Sequence, residues 1–236
     1  MNKILFWTAC LALLAGCSDN EGGGDSLPVT FDDPTFETYC LEQFDSDGDG
    51  TVTGKEIKRV TTLTLDASKN ESLVGLKSLS GIEHFTELQE LHCAKCEFTS
   101  VDLSRNKNLN KLALMYGKLT SLDVSSLPEL ETLNCNTNSL TTLDLSKSPK
   151  LKHLYVQGNK LTQLDVSKNP LLEQLYVSIM SFKSNLIEKL DVTNCPNLKQ
   201  LYATGMTSLK ELRMLRAHDD ANILMDVPET TQIIYE

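Results

Sequence analysis

Leucines recur along this chain at a fixed interval of 21 residues. A Leu-x-x-Leu segment begins at positions 88, 109, 130, 151 and 172, and again after 26 residues at position 198. A second block, in which Asp stands between two aliphatic residues and Ser or Thr follows, begins at positions 101, 122, 143, 164 and 190. One such unit holds too few apolar residues for a core of its own. The pattern therefore predicts stacked units whose leucines form one continuous core.

Apolar and polar residues alternate around the second leucine of each unit, which predicts a short parallel strand about 4.8 Å from that of the next unit. Residues 61–66 are expected to supply an opening strand, and the segments after 201, with 232–235, a C-terminal cap. The repeats resemble the leucine-rich repeats of bacterial surface proteins, with an internalin-like opening coil over 76–88. The resemblance covers roughly residues 61–215. It implies an α/β repeat, a right-handed solenoid, with Asn138, Asn159 and Cys96 at the family's buried hydrogen-bonding position.

Residues 45–56 carry the strongest chemical signal in the chain. They read D-S-D-G-D-G-T-V-T-G-K-E, which matches the calcium-loop pattern at every specified position. Calcium prefers six to eight oxygen ligands, and this spacing offers them from Asp45, Asp47, Asp49, Thr51, Thr53 and Glu56. The loop resembles an EF-hand, with expected helices around 36–44 and 56–60, and the alternative is a solvated acidic turn. We expect residues 31–60 to form a helix-loop-helix cap on the solenoid, with Ca²⁺ as its cofactor.

The first residues indicate export. Lys3 precedes an apolar stretch over 4–14, and Leu14-Ala-Gly-Cys17 resembles the bacterial lipobox. The resemblance implies a lipoprotein signal peptide over 1–16, a lipid on Cys17, and attachment to the outer membrane with exposure at the cell surface; the alternative is an ordinary secretory signal. Residues 17–30 contain three consecutive glycines and predict a flexible tether, which leaves 61–236 for the solenoid and its C-terminal cap.

The outward strand positions are the candidate binding surface. Tyr155, Tyr176 and Tyr202 fall in one column of the predicted concave face, with His153 and Gln157 beside it. Tyrosines are enriched in binding surfaces, although their β-propensity accounts equally well for this placement. The sequence thus predicts a surface lipoprotein that binds a protein or a glycan. The alternative is an accessory scaffold of an outer-membrane nutrient-capture complex, with contacts on the convex face or on the insertion within the fifth repeat.

Other function classes find little support in the sequence. No catalytic constellation is evident, so a non-enzymatic protein is expected. The net charge of −10 argues against nucleic acid as a partner. The lipid is the only link to the membrane that we expect. We also expect the protein to be a monomer. The odd number of five cysteines after Cys17 does not suggest a disulfide framework. Cys93 and Cys96 could suggest a redox or zinc pair, but Cys93 shares its column with Leu114 and is expected in the core. The five aspartates of the second block suggest either turn hydrogen bonds, which we favour, or a cation ladder.

Overall fold

The structure, a computed structural model, describes residues 26–220 and 223–236. The signal peptide expected over 1–16, the lipidation site at Cys17 and most of the expected tether lie outside the described residues. Three short α-helices occur among the described residues: α1 (Pro34–Phe44), α2 (Gly54–Ile57) and α3 (Arg216–Asp220). None of the described helices has both the length and the apolar character needed to cross a membrane.

Parallel strands from successive coils form the main sheet. Its eight described strands, in spatial order, are β1 (Thr62–Asp66), β2 (Glu90–Ala94), β3 (Lys111–Met115), β4 (Thr132–Asn134), β5 (His153–Tyr155), β6 (Gln174–Tyr176), β8 (Gln200–Tyr202) and β10 (Leu224–Asp226). Leu133 pairs with Leu154, and Leu154 with Leu175, so the register follows the 21-residue interval. The repeating leucines are buried. The predicted parallel-strand solenoid and its opening strand at 61–66 are therefore confirmed.

Buried asparagines connect successive coils at the turns after β4, β5 and β6. The Nδ2 of Asn159 donates to the carbonyl oxygens of Cys135 at 2.9 Å and Val156 at 3.1 Å, and its Oδ1 accepts from the backbone N–H of Leu140. Asn138 and Asn185 make the corresponding bonds in their own coils. Each amide side chain thus satisfies backbone groups of two coils that water cannot reach.

A second, three-stranded sheet forms near the C-terminal end. It consists of β7 (Lys189–Asp191), β9 (Glu211–Met214) and β11 (Gln232–Tyr235), all parallel. The expected C-terminal cap is therefore built largely from strands that extend both sheets, with α3 beside them. His218 of α3 is buried, and its Nε2 lies 3.0 Å from the carbonyl oxygen of Cys195.

The five extra residues of the fifth repeat form a hairpin outside the sheet. Met180 and Lys183 pair as an antiparallel bridge, and Ser181 and Phe182 at its tip have positive φ angles of 51° and 62°. Gly158 lets the hairpin approach, because a Cβ there would lie 2.8 Å from the carbonyl oxygen of Met180. The insertion does not disturb the sheet, since β6 pairs directly with β8.

Replacement of Asn159 by alanine tests the role of the buried asparagines. The change leaves the N–H of Leu140 without its partner. It also removes one of the two amide donors to each of the carbonyls of Cys135 and Val156, which keep Asn138 and Asn185. We therefore expect a loss of about 1–3 kcal/mol in the free energy of unfolding. Chemical denaturation with Lys160→Ala, an exposed change at the neighbouring position, provides the control. Equal stability of the two variants would contradict the role assigned to Asn159.

Candidate functional site

The acidic loop over 45–56 is folded around the carboxylate of Asp45. This carboxylate accepts the backbone N–H groups of Gly48 at 2.8 Å, Asp49 at 3.2 Å and Gly50 at 3.0 Å. The two glycines adopt positive φ angles of 73° and 82°, which a side chain would strain. The glycines of the motif therefore allow the tight turn that gathers the acidic side chains.

Carboxylate oxygens of Asp45, Asp47 and Asp49 lie within 4.8 Å of one another, close enough to share one cation. Hard oxygen ligands at this separation fit Ca²⁺. Thr51 donates its N–H and its hydroxyl to Asp49, both at 2.8 Å. Of the six residues predicted as ligands, the structure gathers the three aspartates into one cluster and holds Thr51 against Asp49.

Glu56 connects the two ends of the loop. One of its carboxylate oxygens accepts from the N–H and hydroxyl of Ser46, and the other from the N–H and hydroxyl of Thr53. The pair formed with Thr53 is a capping box at the start of α2. Hydrogen bonds from the N–H groups of Thr53 and Ser46 lower the pKa of Glu56 to about 2. The two carboxylate oxygens of Glu56, which are predicted to bind the cation, thus also accept hydrogen bonds from the loop backbone.

The helices on either side of the loop differ in length. Asp33 caps the 11-residue α1 by accepting the N–H of Thr35 at 2.8 Å. The helix expected over 56–60 is instead the single turn α2, because the chain leaves the helix after Ile57 to enter β1 at Thr62. Val29, placed in the tether by the sequence analysis, is buried and donates its N–H to Val52 at 2.7 Å.

The loop-bearing segment is fastened to the first coil. The second carboxylate oxygen of Asp33 accepts the N–H groups of Lys77 at 2.6 Å and Ser78 at 3.0 Å. Burial alone would raise the pKa of Asp33, but these backbone donors and those of α1 lower it below its ordinary value. The ring of Phe36 packs against Phe85 of the opening coil. The segment that precedes the loop is therefore held against the opening coil by both hydrogen bonds and aromatic packing.

The three predicted tyrosines form one column along the main sheet, in which Tyr176 and Tyr202 are stacked and Tyr155 is tilted against Tyr176. Tyr155 pairs in register with Tyr176, and Tyr176 with Tyr202. Their ring centroids are separated by 5.0 Å and 4.6 Å, and the rings are half-buried. The hydroxyl of Tyr155 donates to Gln174, and that of Tyr176 donates to Gln200 at 2.7 Å. Burial is the main reason that the pKa values of Tyr155 and Tyr176 are raised.

The stacked rings lie within a larger surface without formal charge, which we call the tyrosine panel. It comprises the outward residues of β4, β5, β6 and β8 and, in each of these coils, the residue two places after the last residue of the strand. Asn136 and Gln157 connect two of its coils through a 3.1 Å amide hydrogen bond. The panel consists of Thr132, Asn134, Asn136, His153, Tyr155, Gln157, Gln174, Tyr176, Ser178, Gln200, Tyr202 and Thr204. The sequence analysis assigned five of these residues to ligand binding, and the others occupy the same aligned columns of the repeat.

A cleft of about 760 Å³ lies on the other face, along the second block of the repeats. Asp144, Asp165 and Asp191 line it, and each accepts the backbone N–H of the Ser or Thr two residues later, at 2.8–2.9 Å. Lys189 in the same cleft pairs with Glu211 at 2.9 Å. These aspartates make the expected turn hydrogen bonds, which lower the pKa values of Asp144 and Asp165.

The pairing of the cysteines differs from the prediction. Cys93 is buried in the core as expected, but it forms a disulfide with Cys96, whereas the sequence analysis expected no disulfide framework. The two inward positions meet because the chain turns immediately after β2. Cys40, Cys135 and Cys195 are buried free thiols, and burial raises the pKa values of Cys135 and Cys195 to about 12. The described free thiols are thus core residues of low reactivity.

No protein-family model matches the chain, and no curated protein matches it in sequence. Solved structures of internalins from Listeria monocytogenes do match. Internalin C2 of strain 4b F2365 is 19% identical, with 86% of this chain and 87% of that chain covered and a TM-score of 0.59. Internalin InlF of the same strain is 21% identical, with 88% and 73% covered and a TM-score of 0.53. These two similarities establish the fold, an internalin-like leucine-rich-repeat solenoid.

A third match is the functional domain of InlJ from Listeria monocytogenes, a domain described as including a cysteine ladder. It is 25% identical over 78% of this chain, with a TM-score of 0.42. This chain spans 54% of that domain.

The low pKa of Glu56 makes a pH-dependent contribution to stability. A carboxyl group whose pKa is about 2 in the folded chain, against 4.5 ordinarily, stabilises the fold above pH 4.5 and loses this effect as the pH falls towards 2. We therefore expect Glu56→Gln to lower the free energy of unfolding at pH 7 and to make little difference at pH 2. Denaturant titrations in the presence of a chelator measure both values, and a difference independent of pH would contradict the assignment.

Proposed function

We propose that the protein is a non-enzymatic surface protein that binds a protein or glycan ligand through the tyrosine panel. The observation that carries this proposal is the stack of Tyr155, Tyr176 and Tyr202 on a rigid sheet, with the amides of Gln174 and Gln200 attached to it. Side chains held in place by the sheet lose little conformational freedom on binding. His153 and Gln157 extend the same surface on either side of Tyr155.

The acidic loop is proposed to bind one Ca²⁺ through Asp45, Asp47, Asp49, Thr51, Thr53 and Glu56. The clustered aspartate oxygens support this proposal, as does the hydrogen-bonding pattern within the loop. Calcium would then stabilise an EF-hand-like cap over the opening coil, since Asp33 connects that cap to Lys77 and Ser78. The proposed role of this Ca²⁺ is structural, and the ion would not take part in the tyrosine panel.

The third part of the proposal is lipid attachment at Cys17, after removal of residues 1–16. The support is the lipobox-like sequence alone. A protein anchored in this way in the outer membrane would present the solenoid beyond the tether, at the cell surface.

Calcium removal tests the proposed cap. At about 1 mM calcium and a Kd of about 0.1 mM, mass action stabilises the fold by roughly 1.4 kcal/mol. This corresponds to a rise in Tm of about 3–6 °C for a chain of this size. We expect Asp45→Asn to abolish the rise and Asp102→Asn, an exposed turn aspartate outside the loop, to retain it. A melting temperature that is unchanged by chelator would exclude a stabilising calcium site.

Simultaneous replacement of Tyr155, Tyr176 and Tyr202 by alanine tests the panel. Binding to arrays of immobilised glycans and extracellular proteins is measured first with the unaltered protein, with calcium present. We expect the triple variant to lose the binding detected, because aromatic anchors commonly supply 2 kcal/mol or more each. Tyr116→Ala changes an exposed tyrosine outside the panel and is expected to bind normally. Full binding by a folded triple variant would place the site elsewhere.

The hairpin supports a second candidate function, that of an accessory scaffold in an outer-membrane nutrient-capture complex. Ile179, Phe182 and Leu186 are exposed there, and Phe182 is fully exposed at the tip. Exposed apolar side chains that are close in sequence are typical of protein contacts. Binding on the same arrays that survives the tyrosine changes but is lost on Phe182→Ser would favour this function over the panel.

A further inference from the structure

The tyrosine panel repeats one pair of side chains from coil to coil. Tyr155 donates its hydroxyl proton to Gln174 on the next coil, and Tyr176 donates to Gln200 on the coil after that. In each pair the phenol oxygen keeps its capacity to accept a hydrogen bond, and the amide nitrogen keeps its capacity to donate. A ligand that moved by one coil would thus meet the same donor and acceptor again.

The panel offers no charge to an ionic ligand. None of its twelve positions holds Asp, Glu, Lys or Arg, although the chain has 54 such residues, 22 basic and 32 acidic. Charged residues border it. Glu131 pairs with Lys152 at 2.8 Å and Glu173 with Lys199 at 2.7 Å. Beyond Tyr202, the exposed carboxylate of Asp226 accepts the hydroxyl of Thr204 at 2.7 Å. This surface therefore favours an uncharged polymer over an acidic polysaccharide or a basic peptide.

The spacing of the repeat distinguishes between uncharged polymers. The ring centroids are 5.0 Å and 4.6 Å apart, which follows the spacing of the coils. Side chains on one side of an extended peptide recur every ~6.6 Å and would fall out of step with the tyrosines. The residues of a linear polysaccharide recur at a distance close to the coil spacing, and each carries hydroxyls that both donate and accept.

The orientation of Tyr176 and Tyr202 agrees with hydrogen bonding as the main contact at that end of the column. Tyr176 and Tyr202 are stacked with an interplanar angle of 30°, so the faces of these two rings largely cover each other, whereas Tyr155 is tilted by 54° against Tyr176. We propose that the tyrosine panel binds a neutral linear polysaccharide lying along the stack, with one monosaccharide for each coil. This inference rests on the proposed function, and it specifies the ligand class of the same surface.

Affinity gel electrophoresis of the full chain tests the inference, with calcium present and four neutral polysaccharides as probes: (1→4)-linked glucan, mannan and xylan, and (1→3)-linked glucan. Polygalacturonate serves as the acidic comparison, and unfolded casein as the extended polypeptide. We expect at least one neutral probe to retard the protein, with less than a twofold change in affinity between 50 and 500 mM NaCl. Calorimetry with its oligosaccharides should show affinity rising up to about four monosaccharides, because the panel spans four coils, and then levelling off.

Variants with small changes connect this binding to the panel. Tyr176→Phe removes one hydroxyl and keeps the ring, so we expect it to weaken oligosaccharide binding about 5–10-fold. Tyr116→Phe is the matched control outside the panel and should change nothing. Retardation by none of the neutral probes, or by polygalacturonate alone in a salt-sensitive manner, overturns the inference.

Two further outcomes separate the inference from the proposed function. Binding of casein that is weakened by Tyr176→Phe, without polysaccharide binding, would overturn the polysaccharide inference and leave the panel as a protein-binding site. Polysaccharide binding that is unaffected both by Tyr176→Phe and by the triple alanine change would overturn the assignment of any ligand to the panel.

Discussion

The buried backbone groups at the turns after β4, β5 and β6 need hydrogen-bonding partners, and this need constrains the middle of the stack, where the tyrosines lie. Asn138, Asn159 and Asn185 meet this need by bonding backbone groups of two successive coils at once. An amide at this position therefore links the backbones of neighbouring coils and adds to the strand pairing that sets their register. The contact between the rings of Tyr155 and Tyr176 follows from that register, because the two residues occupy equivalent places in consecutive coils.

Much of the fold could be predicted from the sequence because the repeat itself encodes the register. Once the leucines were aligned, the positions of the strands and of the inward and outward columns followed. Three features did not follow. The second sheet arises where the repeat degrades, the Cys93–Cys96 disulfide depends on a turn whose path the spacing does not give, and Asn185 stands 26 residues after Asn159 instead of 21.

The acidic loop and the tyrosine panel could be predicted to different degrees, and the reason in both cases is how far apart in sequence the contacting residues lie. The acidic loop is local in sequence, so its pattern of glycines and carboxylates was sufficient to predict a clustered turn. Its attachment to the solenoid was not predictable, because Asp33 finds the N–H of Lys77 only after 44 residues of chain have folded. The hydrogen bonds from the tyrosines to glutamines 19 and 24 residues away likewise exist only in the stacked form.

The hairpin over residues 180–183 shows how such a stack can diversify. It leaves the coil after β6 and the chain returns in time for Asn185 to take its place in the buried column, while Tyr176 still meets Tyr202. In this architecture the length of a turn can therefore change without changing which residues lie on the surface of the sheet. New loops of different length and chemistry can be added beside the panel at this point without changing the order of the side chains on it.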